Sequence, residues 1–198
     1  MTIGDQKGYM IGAIGSVLSG TGTISATTTT LSGAGGSAFL SELYPGAVII
    51  AAGQTLAIAS VTTNSAAVLQ SAPAIPLSGA TFTIASMYNL TNLVPTVTHP
   101  RSSFKQWQVK ISLGNGLARG AGRPSCSWVW GFITAAQYDK LRTFITGAST
   151  RVYIRTRTTE SADSYKVYTA AALWPDEVNR DATRRIGFTI DYRDLVLL

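Results

Sequence analysis

Between Met1 and Pro100 the chain carries only three charged side chains, Asp5, Lys7 and Glu42, whereas the remaining 98 residues carry 15 Lys+Arg and 8 Asp+Glu. One cation against two anions gives the first half −1, and 15 against 8 gives the second +7, together the formal +6 of the chain. A break this sharp implies two units with different surroundings. An exposed surface normally carries mixed charge for solubility. A half built from Thr, Ser, Ala and Gly is better suited to packing on other subunits, or to a virion or secreted setting, than to free existence in cytosol.

The 198 residues suit one large or two small domains. A hydrophobic fraction of 45% argues against overall disorder, and the 19 Gly with many Ser and Thr favour short strands joined by turns over long helices. The single cysteine, Cys126, excludes an intrachain disulfide, and its strand-like setting Ser125-Cys126-Ser127-Trp128 reads as a buried, inert thiol. The N-terminus lacks a basic start followed by an apolar run and a cleavage site, so no signal peptide is expected. The most apolar stretch, Ala47 to Ala59, is too short to span a bilayer and is broken by Gly53 and Gln54.

Residues 1–20 read as an arm, with Gly4, Gly8, Gly12, Gly15 and Gly20 among apolar residues; it is either ordered by a neighbour or a loose terminus. Residues 21–88 read as a small β-barrel. Thr23–Thr27, Ala47–Ala51, Gln54–Val61, Ala66–Gln70 and Ala80–Ala85 are its strands, Ser37–Leu43 is a single helical turn, and Tyr44-Pro45-Gly46, Gly53 and Asn64-Ser65 are turns. Residues 89–103, with Pro95 and Pro100, read as a linker. Residues 104–198 read as a β-sandwich with one helix over 134–146. Phe104–Leu113, Ser125–Phe132, Arg151–Arg157, Tyr165–Ala172 and Arg185–Tyr192 are the strands, and the alternation slips at Gln106-Trp107. Thr134 and Gln137 form a capping box, Ile133 staples onto Tyr138, the stripe Tyr138, Leu141, Phe144 and Ile145 faces the core, and Gly147 is expected to end the helix at positive φ. The fold class is therefore mainly β: a barrel followed by a sandwich with one α-helix.

Two segments resemble parts of known phage proteins. Gly22-Thr23-Ile24-Ser25, then Leu31-Ser32-Gly33-Ala34-Gly35 with Phe39 and Leu40, then Leu43-Tyr44-Pro45-Gly46-Ala47-Val48-Ile49 and Gln54 to Val61, resemble in order the small β-barrel module common in tailed-bacteriophage tail and baseplate proteins; Ala47 stands where that module often has Asp. Trp128-Val129-Trp130-Gly131-Phe132-Ile133-Thr134, continuing through Gln137-Tyr138 to Leu141 and Phe144, is similar to a strand-then-helix segment of phage minor-tail proteins. The strand order with one helix resembles the unit shared by tail-tube and distal-tail proteins. The resemblance implies a structural protein of the virion tail, assembled in the host cytoplasm into a homo-oligomeric ring or tube and contacting neighbouring tail proteins.

Catalytic, metal and cofactor signals are poor. His99 is the only histidine and sits before Pro100, so triad chemistry and histidine-rich metal sites have little to draw on. The acids do not cluster beyond Asp176-Glu177, which reads as a turn after Trp174-Pro175, and Asp191 with Asp194. The loop Gly114–Arg123 lacks the Lys-Ser/Thr ending of a phosphate-binding loop. It is either a mobile hairpin loop or an interface arm whose Arg119 and Arg123 pair with acids of the next subunit. Arg151, Arg155 and Arg157 share one strand face with Tyr153, which is either a subunit interface or, with a pI near 9.7, part of a basic nucleic-acid-binding module. These five arginines are the candidate interface residues. No catalytic residue, metal or cofactor is expected, and no membrane partner.

Overall fold

The computed structural model describes residues 8–114, 116–159, 164–176, 179–181 and 183–198. Residues 1–7 of the expected arm, Asn115 of the basic loop and Glu177 of the expected turn lie outside them. The architecture is mainly β, in curled antiparallel sheets, with two α-helices.

Turn chemistry builds the first unit. Its strands are β2 (Val17–Ser19), β3 (Thr23–Ala26), β4 (Thr30–Ala34), β5 (Val48–Ala51), β6 (Gln54–Thr63), β7 (Ala66–Leu69), β8 (Leu77–Ala80) and β9 (Phe82–Ala85), in the order β2-β9-β5-β6-β7-β4-β3-β8. Pro45 precedes Gly46, which has φ 94°, and the Ala47 amide donates to the Tyr44 carbonyl at 2.8 Å, a type II turn into β5. Ala52 (φ 47°) and Gly53 (φ 74°) form the two-residue turn between the paired Ala51 and Gln54, the geometry that matches strand twist. Only Thr81 separates β8, which pairs with β3, from β9, which pairs with β5. β8, at one end of the order, therefore bends directly into β9, next to the other end, and the sheet curls into a small barrel with β2 as an added edge strand. Ile24, Leu31, Ile49, Ile58 and Leu69 fill it, and the one-turn helix α1 (Phe39–Glu42) seats Phe39 edge-to-face on Phe82.

The second unit is not continuous in sequence. Its large sheet has the order β10-β1-β16-β17-β20-β14-β11, from β1 (Met10–Ala13), β10 (Tyr88–Asn89), β11 (Arg101–Lys105), β14 (Ser125–Val129), β16 (Ser149–Arg157), β17 (Tyr165–Leu173) and β20 (Thr189–Leu197). The expected arm thus supplies β1, an interior strand held between β10 and β16. What orders it is this chain's own sheet, since Ile11 and Met10 gain complete burial there. The barrel is an insertion between two paired strands, β1 and β10. The expected linker is also corrected. Leu90, Leu93 and Val97 are core residues, Leu90–Asn92 form a 3-10 turn capped by Asn89, and Arg101–Lys105 pair with β14. Pro95 is exposed and Pro100 buried in a connection anchored by these core residues, so the prolines do not mark a boundary.

The sheet curls strongly enough that Tyr9, just before β1, touches Trp128 on β14 edge-to-face at 5.5 Å although three strands lie between them. Its concave face is covered by the helix α2 (Ala135–Arg142) and a small sheet of β15 (Phe132–Thr134), β19 (Arg184–Ile186) and β18 (Asn179–Asp181). The capping box is present in both directions: Thr134 Oγ1 accepts from the Gln137 amide, and Gln137 Oε1 accepts from the Thr134 amide. Leu141, Phe144 and Ile145 are buried and Tyr138 packs beside them. Gly147 does not close the helix at positive φ. Thr143 is the C-cap, and the Gly147 carbonyl instead accepts from Arg142. The expected strand Arg185–Tyr192 is split at Gly187 (φ 63°), which sends Arg184–Ile186 to the small sheet and Thr189 onward to the large one.

A third apolar cluster joins the units: Met10, Val48, Ala57, Ala85, Met87, Tyr153, Val167 and Leu198, with Tyr44 against it. Tyr44 donates its hydroxyl proton to the Met87 carbonyl at 2.8 Å, and burial pushes its pKa up to about 12. Gln70 bridges the units with three hydrogen bonds. Its Nε2 donates to the Leu198 carbonyl at 2.8 Å and to the Val167 carbonyl at 3.1 Å, and its Oε1 accepts from the Val167 amide at 3.0 Å.

Candidate interaction surface

Alternation along β12 (Val109–Ser112) and β13 (Ala118–Ala121) makes an antiparallel hairpin that joins neither large sheet. The sequence expectation of one strand from Phe104 to Leu113 fails at Gln106-Trp107, where the chain leaves the large sheet and starts the hairpin. The expected basic loop is the return strand of that hairpin. Val109 pairs with Ala121 and Ile111 with Arg119, and the Leu113 amide donates to the Leu117 carbonyl at 2.7 Å, so Val109, Ile111, Leu113 and Leu117 fall on one face with Arg119. On the other face, beside Lys110, the Trp107 indole lies over Gly120, where a Cβ would come within 2.4 Å of the ring.

The exposure of that face is unusual. Val109, Ile111, Leu113 and Leu117 are 42–63% exposed, and Trp107 is 47% exposed. A lone two-stranded hairpin is at best marginal in water, and contiguous exposed apolar groups of this kind mark interaction sites. Four exposed cations, Lys105, Lys110, Arg119 and Arg123, lie on it or beside it. At its base Gln108 donates to Asp194 at 3.0 Å, on β20, which fixes where the hairpin leaves the sheet.

The five candidate arginines do not form one surface. Arg119 and Arg123 lie on the hairpin and just after it. Arg151, Arg155 and Arg157 do alternate with the core residues Val152, Ile154 and Thr156, as read from the sequence, but they meet three environments. Arg151 is exposed. Tyr153 is buried in the junction between the units. The Arg155 side chain packs where a Cβ on Gly46 would lie 2.7 Å from its Cδ, with its guanidinium 5.4 Å from the Tyr165 ring centre, and burial lowers its pKa. Arg157 lines a cleft of about 520 Å³ between β11 and the end of β16, with Tyr9, Arg101, Ser102, Phe104 and Thr158. There Tyr9 and Ser102 share a hydrogen bond of 2.6 Å between their hydroxyls. The cleft offers guanidinium groups, hydroxyls and aromatic edges; none of its lining residues is a carboxylate, imidazole or thiol.

His99 stacks edge-on against Tyr9 at 5.5 Å, and burial lowers its pKa. Cys126 is buried beneath β14, and desolvation pushes its thiol up to about 12, as an inert core sulfur requires. Among the described residues no group of three or more His, Cys, Asp or Glu is placed to hold a metal ion, and no helix is long and apolar enough to cross a membrane. What sequence reasoning missed is the hairpin's apolar face: its signal was the alternation of Val109, Ile111 and Leu113, present in the sequence but assigned to one strand of the sandwich. No family model, curated protein or solved structure matches the chain.

Proposed function

We propose that this chain is a structural subunit of a bacteriophage tail that assembles with copies of itself into a ring or tube, at the distal tail or baseplate or along the tail. The projecting hairpin carries this reading. It exposes four aliphatic side chains and a tryptophan on a strand pair that gains little stability alone. The barrel adds to it, because Glu42 is the only charged residue from Gly8 to Pro100, a surface better kept in an assembly than in solvent. The resemblance of the barrel segment and the Trp128–Phe144 segment to tail proteins supplies the virion setting, with the tail as location and neighbouring tail proteins as further partners. The mechanism is assembly, not turnover.

The competing reading, a basic nucleic-acid-binding module, loses its best surface. Tyr153 is 4% exposed and Arg155 is packed in the junction, so the Arg/Tyr alternation of β16 offers no continuous stacking platform. Sedimentation of the purified protein over a range of concentrations, with and without DNA or RNA, tests both. Concentration-dependent assembly that ignores nucleic acid is expected. A persistent monomer that binds nucleic acid with steep salt dependence would overturn the proposal.

A further inference from the structure

The hairpin needs a receiving surface, and the barrel carries one with matching chemistry. β2 is the terminal strand of its sheet and pairs only with β9 among the described residues. The Ser86 amide donates to the Ser16 carbonyl and the Gly20 amide to the Phe82 carbonyl, so by antiparallel alternation the amides and carbonyls of Val17 and Ser19 point away from β9. Six consecutive residues, Ile14 to Ser19, are exposed and uncharged, and Ile14, Val17 and Leu18 are 45%, 43% and 65% exposed. Edge strands are blunted by shortness, Lys, Pro or a bulge; this one is three residues long and carries no Lys, Pro or bulge. Beside it stands the barrel's only carboxylate in the described residues. Glu42 accepts from the Thr21 amide at 2.9 Å and from the Thr21 hydroxyl, two residues beyond the end of β2. An apolar edge with one acid beside it thus complements an apolar hairpin that carries Lys110 and Arg119.

We propose that the hairpin of one copy seats on the Ile14–Ser19 edge of the next, with Ile111 and its apolar neighbours Val109, Leu113 and Leu117 packing on Leu18, the most exposed apolar side chain of that edge, and Arg119 drawn towards Glu42. The hairpin is rooted between β11 and β14, and β2 follows β1, so the two surfaces belong to different segments of the chain. Both remain exposed within a copy, so the contact joins different surfaces of two copies. Exchanged reciprocally it would stop at a two-fold dimer; repeated head to tail it is heterologous and builds the ring or tube proposed above. This inference rests on the self-assembly proposed above and names the surface that assembly uses.

Two variants at exposed sites test it, Ile111→Glu and Leu18→Glu. Each alone is expected to lose all species larger than the monomer in sedimentation velocity. Mixed in equal amounts, they should form a 1:1 dimer and stop there, because Leu18→Glu keeps an intact hairpin and Ile111→Glu an intact edge. Unchanged far-ultraviolet dichroism and thermal midpoint check that both still fold. If a charge does unfold either chain, Ile111→Cys and Leu18→Cys give the second readout. The native Cys126 is buried, so oxidation should yield an Ile111→Cys/Leu18→Cys heterodimer in the mixture and far less of either homodimer. A mixture of the Glu variants that stays monomeric, or a Leu18→Glu protein that assembles like wild type, overturns the docking inference while leaving self-assembly standing. A wild-type protein that never assembles removes both.

Discussion

Replacing Gln70 by Ala should loosen the junction between the two units more than its modest burial implies. The Gln70 amide nitrogen is held to the Ala57 carbonyl at 2.8 Å, so its side chain is aimed across the junction by the barrel's own ladder. The substitution removes three hydrogen bonds at once, to the Val167 amide and to the carbonyls of Val167 and Leu198. Each is worth about 1 kcal/mol net, and water reaching the part-buried site recovers some of it, so the expected loss is about 2–3 kcal/mol. Gln70→Glu should be at least as harmful at neutral pH, since it turns a carboxylate oxygen towards two carbonyls. Acidification should relieve it, because a protonated carboxyl donates again.

The tryptophans make the assay direct. All four, Trp107, Trp128, Trp130 and Trp174, lie outside the barrel, so their fluorescence reports the second unit while far-ultraviolet dichroism reports both. In guanidinium titrations the two signals should coincide for wild type and separate for Gln70→Ala, the sign of uncoupled units. A change below about 0.5 kcal/mol, the range of an ordinary surface substitution, with coincident curves would refute the bridging role.

Ala52→Asn should stabilise the barrel by about 1 kcal/mol in a urea melt, because Ala52 holds a left-handed conformation that Asn accepts more readily, ahead of Gly53. Tyr192→Phe should be neutral or stabilising by up to about 1 kcal/mol, since the Tyr192 hydroxyl is fully buried with no hydrogen-bond partner among the described residues; a destabilisation would show a hidden partner. Leu141→Asp should cost about 3–5 kcal/mol or prevent folding, whereas Lys140→Asp, off the buried stripe, should be tolerated; equal melts would contradict the helix packing. Stability should fall at alkaline pH. Burial raises the folded-state pKa of Cys126 and Tyr44 to about 12, above ordinary values of 9.0 and 10.0, so the unfolded chain ionises first. The contribution is complete below those ordinary values and drains away towards pH 12, at about 1.4 kcal/mol per pH unit for each fully shifted group. Cys126→Ala should delay the onset by roughly one pH unit, read from urea midpoints.

What was legible in the sequence was local. The turns at Gly46 and Gly53, the capping box of Thr134 and Gln137, and the short barrel strands between those turns are each decided within a few residues. What was not legible depends on partners far along the chain. Met10–Ala13 is a short apolar run with Gly12 in it, and only its pairing with residues 88–89 and 152–155 makes it an interior strand. Leu90, Leu93 and Val97 stand among prolines and resemble a linker until the curled sheet closes over them. On β16 the alternation was correct, yet the environment of its outer face was set by the inserted barrel, which turned an expected basic surface into a junction around Tyr153 and Arg155. The hairpin showed the reverse failure. Its alternation was read as one strand of the sandwich, because period-two hydrophobicity signals a covered face without saying which molecule covers it.

The insertion topology bears on assembly. A heterologous contact closes into a ring only if the angle between the two contact surfaces is fixed; otherwise it runs on as an open filament. On the proposed reading those surfaces are the hairpin on one unit and β2 on the other, so the junction sets that angle. The chain crosses between units twice, from β1 to β2 and from β9 to β10, and the two crossings lie side by side because Met10 pairs with Asn89 and Ile11 with Tyr88. The apolar cluster around Tyr153, the Tyr44 bond to Met87 and the Gln70 bridge then leave little freedom for one unit to turn on the other. Gln70→Ala leaves both contact surfaces intact. It should therefore preserve association while broadening the distribution of assembled sizes, visible as heterogeneous particles by electron microscopy. Uniform particles from a variant whose units melt separately would show that the angle is set at the intermolecular contact, not within the chain.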